Sequence, residues 1–190
     1  IPESTLRELI EIANLAPSSF NLQPWEVVAV TDPERKKALR EHAFNQEKVE
    51  EASAVLIVIA NPNAVEENVD EVLDSWVELG YNKPEDKAGM RGMPGRMYGA
   101  KDSLPRTVFA VKNAGLFAMN LMIAARGLGL ETHPMDGFKE AGVKKEFGIP
   151  EDRVIPMLIA VGYLKPGVKL LPRAFRRAVD RFTHFNRFRA

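Results

Sequence analysis

Four short stretches of this chain gather hydroxyl, amide, ammonium and guanidinium groups at spacings that suit a polar or anionic ligand. The first is Pro17-Ser18-Ser19-Phe20-Asn21-Leu22-Gln23-Pro24-Trp25, where Ser18, Ser19 and Asn21 offer hydrogen-bonding side chains within one turn. The second, Phe44-Asn45-Gln46-Glu47-Lys48, sets the Asn45 amide one helical turn from the Lys48 ammonium. The third runs from Leu128 to Phe138 and ends in Pro134-Met135-Asp136-Gly137, a proline-containing turn that closes on Gly-Phe. The fourth is the tail 165–190, with Lys165, Lys169, Arg173, Arg176, Arg177, Arg181, Arg187 and Arg189 against one acid, Asp180. Each also has a plainer reading. Pro, Ser and Asn build turns unaided, Asp136 can cap a helix, and exposed charges are usually solvated. None of the four supplies a thiol, because the chain has no cysteine; its three histidines, His42, His133 and His184, show no metal-ligand spacing.

Regular elements must position these groups. Ser4 with Leu6, Leu9, Ile10 and Ala13 on one helical face predicts a helix from about residue 4 to Ala16. The valine-rich Glu26 to Thr31 predicts a strand, and Asp32-Pro33 opens a charged helix through about Ala43. Ser53 to Ala60 is apolar and β-branched almost throughout, as in a strand covered on both faces, and Glu66 to Leu79 is an amphipathic helix. Residues 80–106, with five glycines, three prolines and Met90, Met93 and Met97, break every period and predict a long loop or irregular lid. Val108 to Ala125 predicts a buried helix interrupted by Lys112, Asn113 and Asn120. On it, Ala110, Ala114, Gly115 and Ala118 are spaced for close approach of another helix, as in a subunit contact. A helix over Phe138 to Phe147 and a second buried strand over Val154 to Tyr163 complete an α+β layout, a small sheet between helices.

The 190 residues suit one domain over 1–190. Twenty-six basic residues balance twenty-six acidic ones, so no global field favours nucleic acid. The absence of cysteine excludes disulfides, iron–sulfur clusters and a thiol nucleophile. No charge-free apolar run of about 18 residues marks a membrane span, and the first residues lack a secretory pattern. A cytoplasmic location is the expectation.

In order along the chain, the Pro17 to Trp25 motif, the Asn45–Lys48 pair, the Gly129 to Phe138 segment and the arginine-rich tail resemble the nitroreductase family of FMN-dependent, NADH- or NADPH-using oxidoreductases. The resemblance spans nearly the whole chain and is least in 80–106. It implies a nitroreductase-like α+β fold with a small central mixed sheet and a C-terminal tail extending onto the partner of a homodimer, the flavin lying at the interface. By the same resemblance, Ser18, Ser19 and Asn21 hold phosphate or ring edges while Gln23 and Trp25 fix the loop. Asn45 and Lys48 reach the pyrimidine edge, where an ammonium stabilises the charge left by hydride transfer. Pro134, Met135, Asp136 and Gly137 lie at flavin N5 and O4, the Asp136 and Gly137 N–H groups donating at the opening of the Phe138 helix. Arg176, with Arg173 as partner, contacts the phosphate. Two features depart from the family: the Arg-Arg-Ser-x-Arg segment that lies upstream of Ile1-Pro2 is not in this sequence, and Ala178 stands where the tail usually carries proline.

The activity so implied is hydride transfer from NAD(P)H to nitroaromatic, quinone or similar small acceptors by a ping-pong mechanism, with no catalytic side chain. The alternatives are related flavin chemistry, such as reductive dehalogenation or flavin breakdown, and a non-catalytic flavin-binding dimer.

Overall fold

Four strands form one sheet in the computed structural model, which describes residues 1–188; Arg189 of the basic tail lies outside them. The strands β1 (Trp25–Val30), β2 (Ala54–Ala60), β3 (Glu131–Met135) and β4 (Val154–Gly162) pair in the order β1-β2-β4-β3. All three pairings are antiparallel, with Val27 opposite Val58, Leu56 opposite Ile159 and His133 opposite Ala160. The mixed sheet implied by the resemblance is thereby corrected; apolar periodicity offered no check on it, since it reports which faces are buried and carries no strand direction.

Strand β2 is buried at every position, as its unbroken apolar run requires. Leu56, Val58 and Ala60 feed a core with Leu6, Leu9, Phe117 and Leu121, while Val55, Ile57 and Ile59 feed another with Leu39, Val49 and Val143. The first core lies under helices α1 (Glu3–Ala13) and α8 (Leu104–Gly127). The second lies under α2 (Pro33–His42), α3 (Glu47–Glu51) and α9 (Glu140–Phe147).

Helix α8 is long and apolar enough to cross a membrane, but here it is the central core helix, burying Phe109, Phe117 and Leu121. Its small face packs within its own chain: Ala110, Ala114 and Ala118 are fully buried in the first core, and the nearby Asn120 amide donates to the carbonyls of Ile12 and Ala13. This corrects the assignment of those alanines to a subunit contact, since a helix can be approached closely by its own neighbour α1 as well as by a partner. The face that α8 turns outward carries Val108, Leu116, Met119 and Ile123, each 43–59 % exposed.

Neither the short helix α3 nor the edge strand β3 stands out in the apolar periodicity of the sequence. The latter contains Pro134, which lacks an N–H and is tolerated only where no ladder bond is needed. The predicted helix over 66–79 divides at Asn68 into α4 (Ala64–Glu67) and α5 (Val69–Glu78), where the Asn68 amide donates to the Leu22 carbonyl at 2.9 Å. Residues 80–106 are also more regular than expected, with α6 (Lys87–Arg91) and α7 (Met93–Tyr98). Arg91 binds Asp70 through two bonds of 2.8 and 2.9 Å, and Tyr98 stacks on Phe109 with ring centroids 4.2 Å apart. Partners distant in sequence thus order a segment whose own glycines and prolines do not. Beyond Gly162, every described residue except Thr183 is exposed, Leu171 and Phe175 at 90 % and 80 %.

Candidate functional site

The loop after α1 is held in an uncommon backbone conformation. Phe20, Asn21 and Gln23 all have left-handed φ, 55°, 52° and 45°. Non-glycine residues reach that region at a cost and persist there only when their surroundings hold them. Ser18 Oγ accepts from the Gln23 N–H at 2.9 Å, the Ser19 N–H donates to Asn113 Oδ1 at 3.1 Å, and the Gln23 amide donates to the Asn21 carbonyl at 3.0 Å. Trp25 Nε1 donates to Asn14 Oδ1 at 2.8 Å, so Gln23 and Trp25 do fix the loop. Phe20 stacks on Trp76 and meets Tyr98 edge-on, with centroids 6.5 and 6.4 Å away. A polar cleft of about 380 Å³ opens between this loop and α5, lined by Asn14, Asn21, Gln23 and Glu71.

Asn113 was not among the expected site residues. It is fully buried, donates to the Phe109 carbonyl at 2.7 Å and accepts from Ser19, so it anchors the loop from inside α8. Its signal in the sequence was an amide breaking the apolar run of a buried helix, since a buried amide needs partners.

The second and third predicted segments form one unit. Phe44 and Asn45 also have left-handed φ, 50° and 56°. Gln46 Nε2 donates to the carbonyls of Ala43 and, ninety-one residues away, Gly137, at 3.1 and 2.8 Å. The Lys139 N–H donates to the His42 carbonyl at 2.8 Å. Gly137 packs closely against this junction, since a Cβ there would stand 3.3 Å from the flexible end of Gln46, at Nε2, and 3.6 Å from the Phe44 ring. Among the described residues, the N–H groups of Asp136 and Gly137 have no protein acceptor. Helix α9 begins at Glu140 with Lys139 at its N-cap, which corrects two expectations: Asp136 is not a helix cap, and the two free N–H groups precede the helix rather than open it. The chain is kept non-helical here because the Phe138 N–H turns back to the Asp136 carbonyl and Lys139 is tied to His42.

Lys48 and Asn45 are exposed on this unit, and Lys48 has no carboxylate partner among the described residues. His133 stands on the β3 edge, where shielding of its ring, and secondly the Lys48 charge, hold its imidazole below the ordinary value. Pro134 is exposed, and Met135 turns its side chain into the second core, so only its main chain faces the site.

No hydrogen bond or ring contact among the described residues joins the Ser18–Asn21 loop to the Asn45–Gly137 unit. Nor does the chain bury Arg173 or Arg176 against either. Both are exposed, and Arg176 donates to the Ala174 and Phe175 carbonyls of its own tail. The Asn45–Gly137 unit presents two free main-chain N–H groups, an amide that donates and accepts, and an ammonium. That donor set fits the flat, acceptor-rich edge of a flavin ring.

A model of the family described as Nitroreductase family matches residues 1–163. A Thermus thermophilus protein named NADH dehydrogenase is 37% identical over 163 residues, covering 86% of this chain and 77% of that protein. Among solved structures, a Bacillus subtilis protein named as nitroreductase ydfN superimposes with a TM-score of 0.90 at 31% identity, over 97% of this chain and 88% of that one. An Exiguobacterium sibiricum nitroreductase-named structure in complex with FMN gives a TM-score of 0.84 at 28% identity, over 97% and 87%.

Proposed function

This chain belongs to the nitroreductase family, and from that premise we propose an FMN-dependent oxidoreductase that oxidises NADH or NADPH and reduces nitroaromatic, quinone or similar small acceptors in a ping-pong cycle. Bound FMN supplies the hydride-accepting and hydride-donating centre, so no side-chain nucleophile is needed. The observation that carries the reading is the fastening of Gly137 to Gln46, which leaves the Asp136 and Gly137 N–H groups free beside Asn45 and Lys48. These four groups would hold the ring edge, and the Lys48 ammonium would stabilise negative charge gathering there. Ser18, Ser19 and Asn21 would meet the flavin from the other wall, and Arg173 and Arg176 its phosphate.

The active form in this reading is a homodimer. Two walls that do not meet in one chain, an outward apolar stripe on α8 and a tail exposing Leu171 and Phe175 all call for a second copy. A cytoplasmic location accords with the lack of cysteine.

The visible spectrum of the purified protein, followed anaerobically with NADH and NADPH, tests the proposal. Flavin absorbance that disappears with either nucleotide is expected. Protein supplied with FMN that neither nucleotide bleaches overturns it.

A further inference from the structure

We propose that Lys112 and Ser19 form a phosphate-binding position on the outward face of α8. Lys112 is the only charged residue between Arg106 and Arg126 of that helix. It follows Val108 by four positions and precedes Leu116 by four, so it shares their face, and Met119 and Ile123 continue the same stripe. A single ammonium therefore stands in the middle of an exposed apolar surface. Its Nζ donates to Ser19 Oγ at 3.5 Å. No carboxylate among the described residues forms an ion pair with it.

Ser19 is held for this role by the neighbouring residue of the same helix, since its N–H donates to the buried Asn113. Its hydroxyl accepts from Lys112 and keeps its own proton to donate outward. An ammonium beside a hydroxyl donor, both fixed to one rigid helix, is a fitting pair for a phosphate oxygen. The inference rests on the flavin-dimer reading above, in which the α8 face is covered. Covering an unpaired ammonium is strongly unfavourable unless an anion meets it. Two ligands of that reading carry phosphate, the flavin mononucleotide and the nicotinamide dinucleotide.

The test compares wild type with Lys112→Ala and Lys112→Arg. FMN and riboflavin, which lacks the phosphate, are titrated by flavin fluorescence, and steady-state kinetics are run with NADH and with reduced nicotinamide mononucleotide. Lys112→Ala is expected to weaken one phosphate ligand roughly tenfold or more, the scale of one charge-assisted bond, and Lys112→Arg to restore most of it. Weaker FMN binding with riboflavin unaffected assigns the position to the flavin phosphate. A raised KM for NADH at unchanged kcat, with FMN binding intact, assigns it to the dinucleotide. Equal weakening of FMN and riboflavin overturns the proposal in favour of loop packing. A change confined to dimer affinity in sedimentation overturns it in favour of a carboxylate from the second copy, and no change overturns it outright. Wild type bound to FMN and bleached by NAD(P)H beside an unaltered Lys112→Ala protein would sink this inference alone. Wild type that is not bleached sinks the flavin reading itself.

Discussion

The side-chain amide of Gln46 donates to the main-chain carbonyl of Gly137 at 2.8 Å, and that contact fastens the α2–α3 junction to the turn after β3. Gln46→Ala strips donors from the Ala43 and Gly137 carbonyls together, at a cost of about 1–3 kcal/mol. Urea unfolding should show the lower midpoint, and FMN affinity should fall because Asp136 and Gly137 lose their register against Asn45. An unchanged midpoint with unchanged affinity would remove Gln46 from the site.

Asn113→Ala leaves the Ser19 N–H without its acceptor and opens a small void in the core of α8. A loss of about 2 kcal/mol is expected. Hydrogen exchange at the Ser19 amide should accelerate beyond what that loss explains. Exchange at the wild-type rate would mean the loop is held without Asn113.

Tyr98 joins the lid to Phe109 and to Phe20 of the strained loop. Tyr98→Ala should cost about 1–3 kcal/mol and quicken limited proteolysis within α6 and α7. Tyr98→Phe keeps both ring contacts and should behave as wild type. If both variants are cut at the same rate, the ring contacts do not hold the lid.

His133 gives a pH signature. Its imidazole is held below the ordinary 6.5 in the folded chain, so above that pH it is neutral in both states and contributes no pH dependence. As pH falls below 6.5 the unfolded chain takes up a proton that the folded one resists, and stability declines. His133→Asn should flatten that decline. In Lys48→Gln, an NMR titration should find the imidazole raised yet still below its ordinary value, because shielding of the ring is the larger cause and remains.

Residues 165–190 carry eight bases and one acid in a chain balanced at 26 and 26, which leaves 1–164 with a surplus of seven acids. A tail that docks on the body of a second copy should therefore do so with help from charge, and sedimentation should find the dimer weakened by rising salt and lost on deletion of 165–190. A dimer indifferent to both places the interface elsewhere.

Much of the fold was legible because burial leaves a periodic mark. The unbroken run of β2, the apolar body of α8 and the capped start of α2 each follow from local residue chemistry. The α6–α7 lid and β3 were not legible, since one is ordered by Arg91, Tyr98 and their distant partners, and the other is an edge strand with proline in it. The same divide runs through the site. Ser19, Asn45, Lys48 and Gly137 stood out as residue types in motifs, whereas Gln46 holds Gly137 across ninety-one residues and Asn113 holds Ser19 across ninety-four.

The sequence by itself determined the family, the cofactor class it implies and the segments that bear the donors, because those depend on residue identity and order. Only the tertiary structure decided that the sheet is antiparallel throughout, that α8 buries its alanines and turns Val108, Lys112 and Ile123 outward, and that the predicted segments make two separate walls. Strand direction, helix rotation and long-range pairing are settled by packing the whole chain at once, and no local period encodes them.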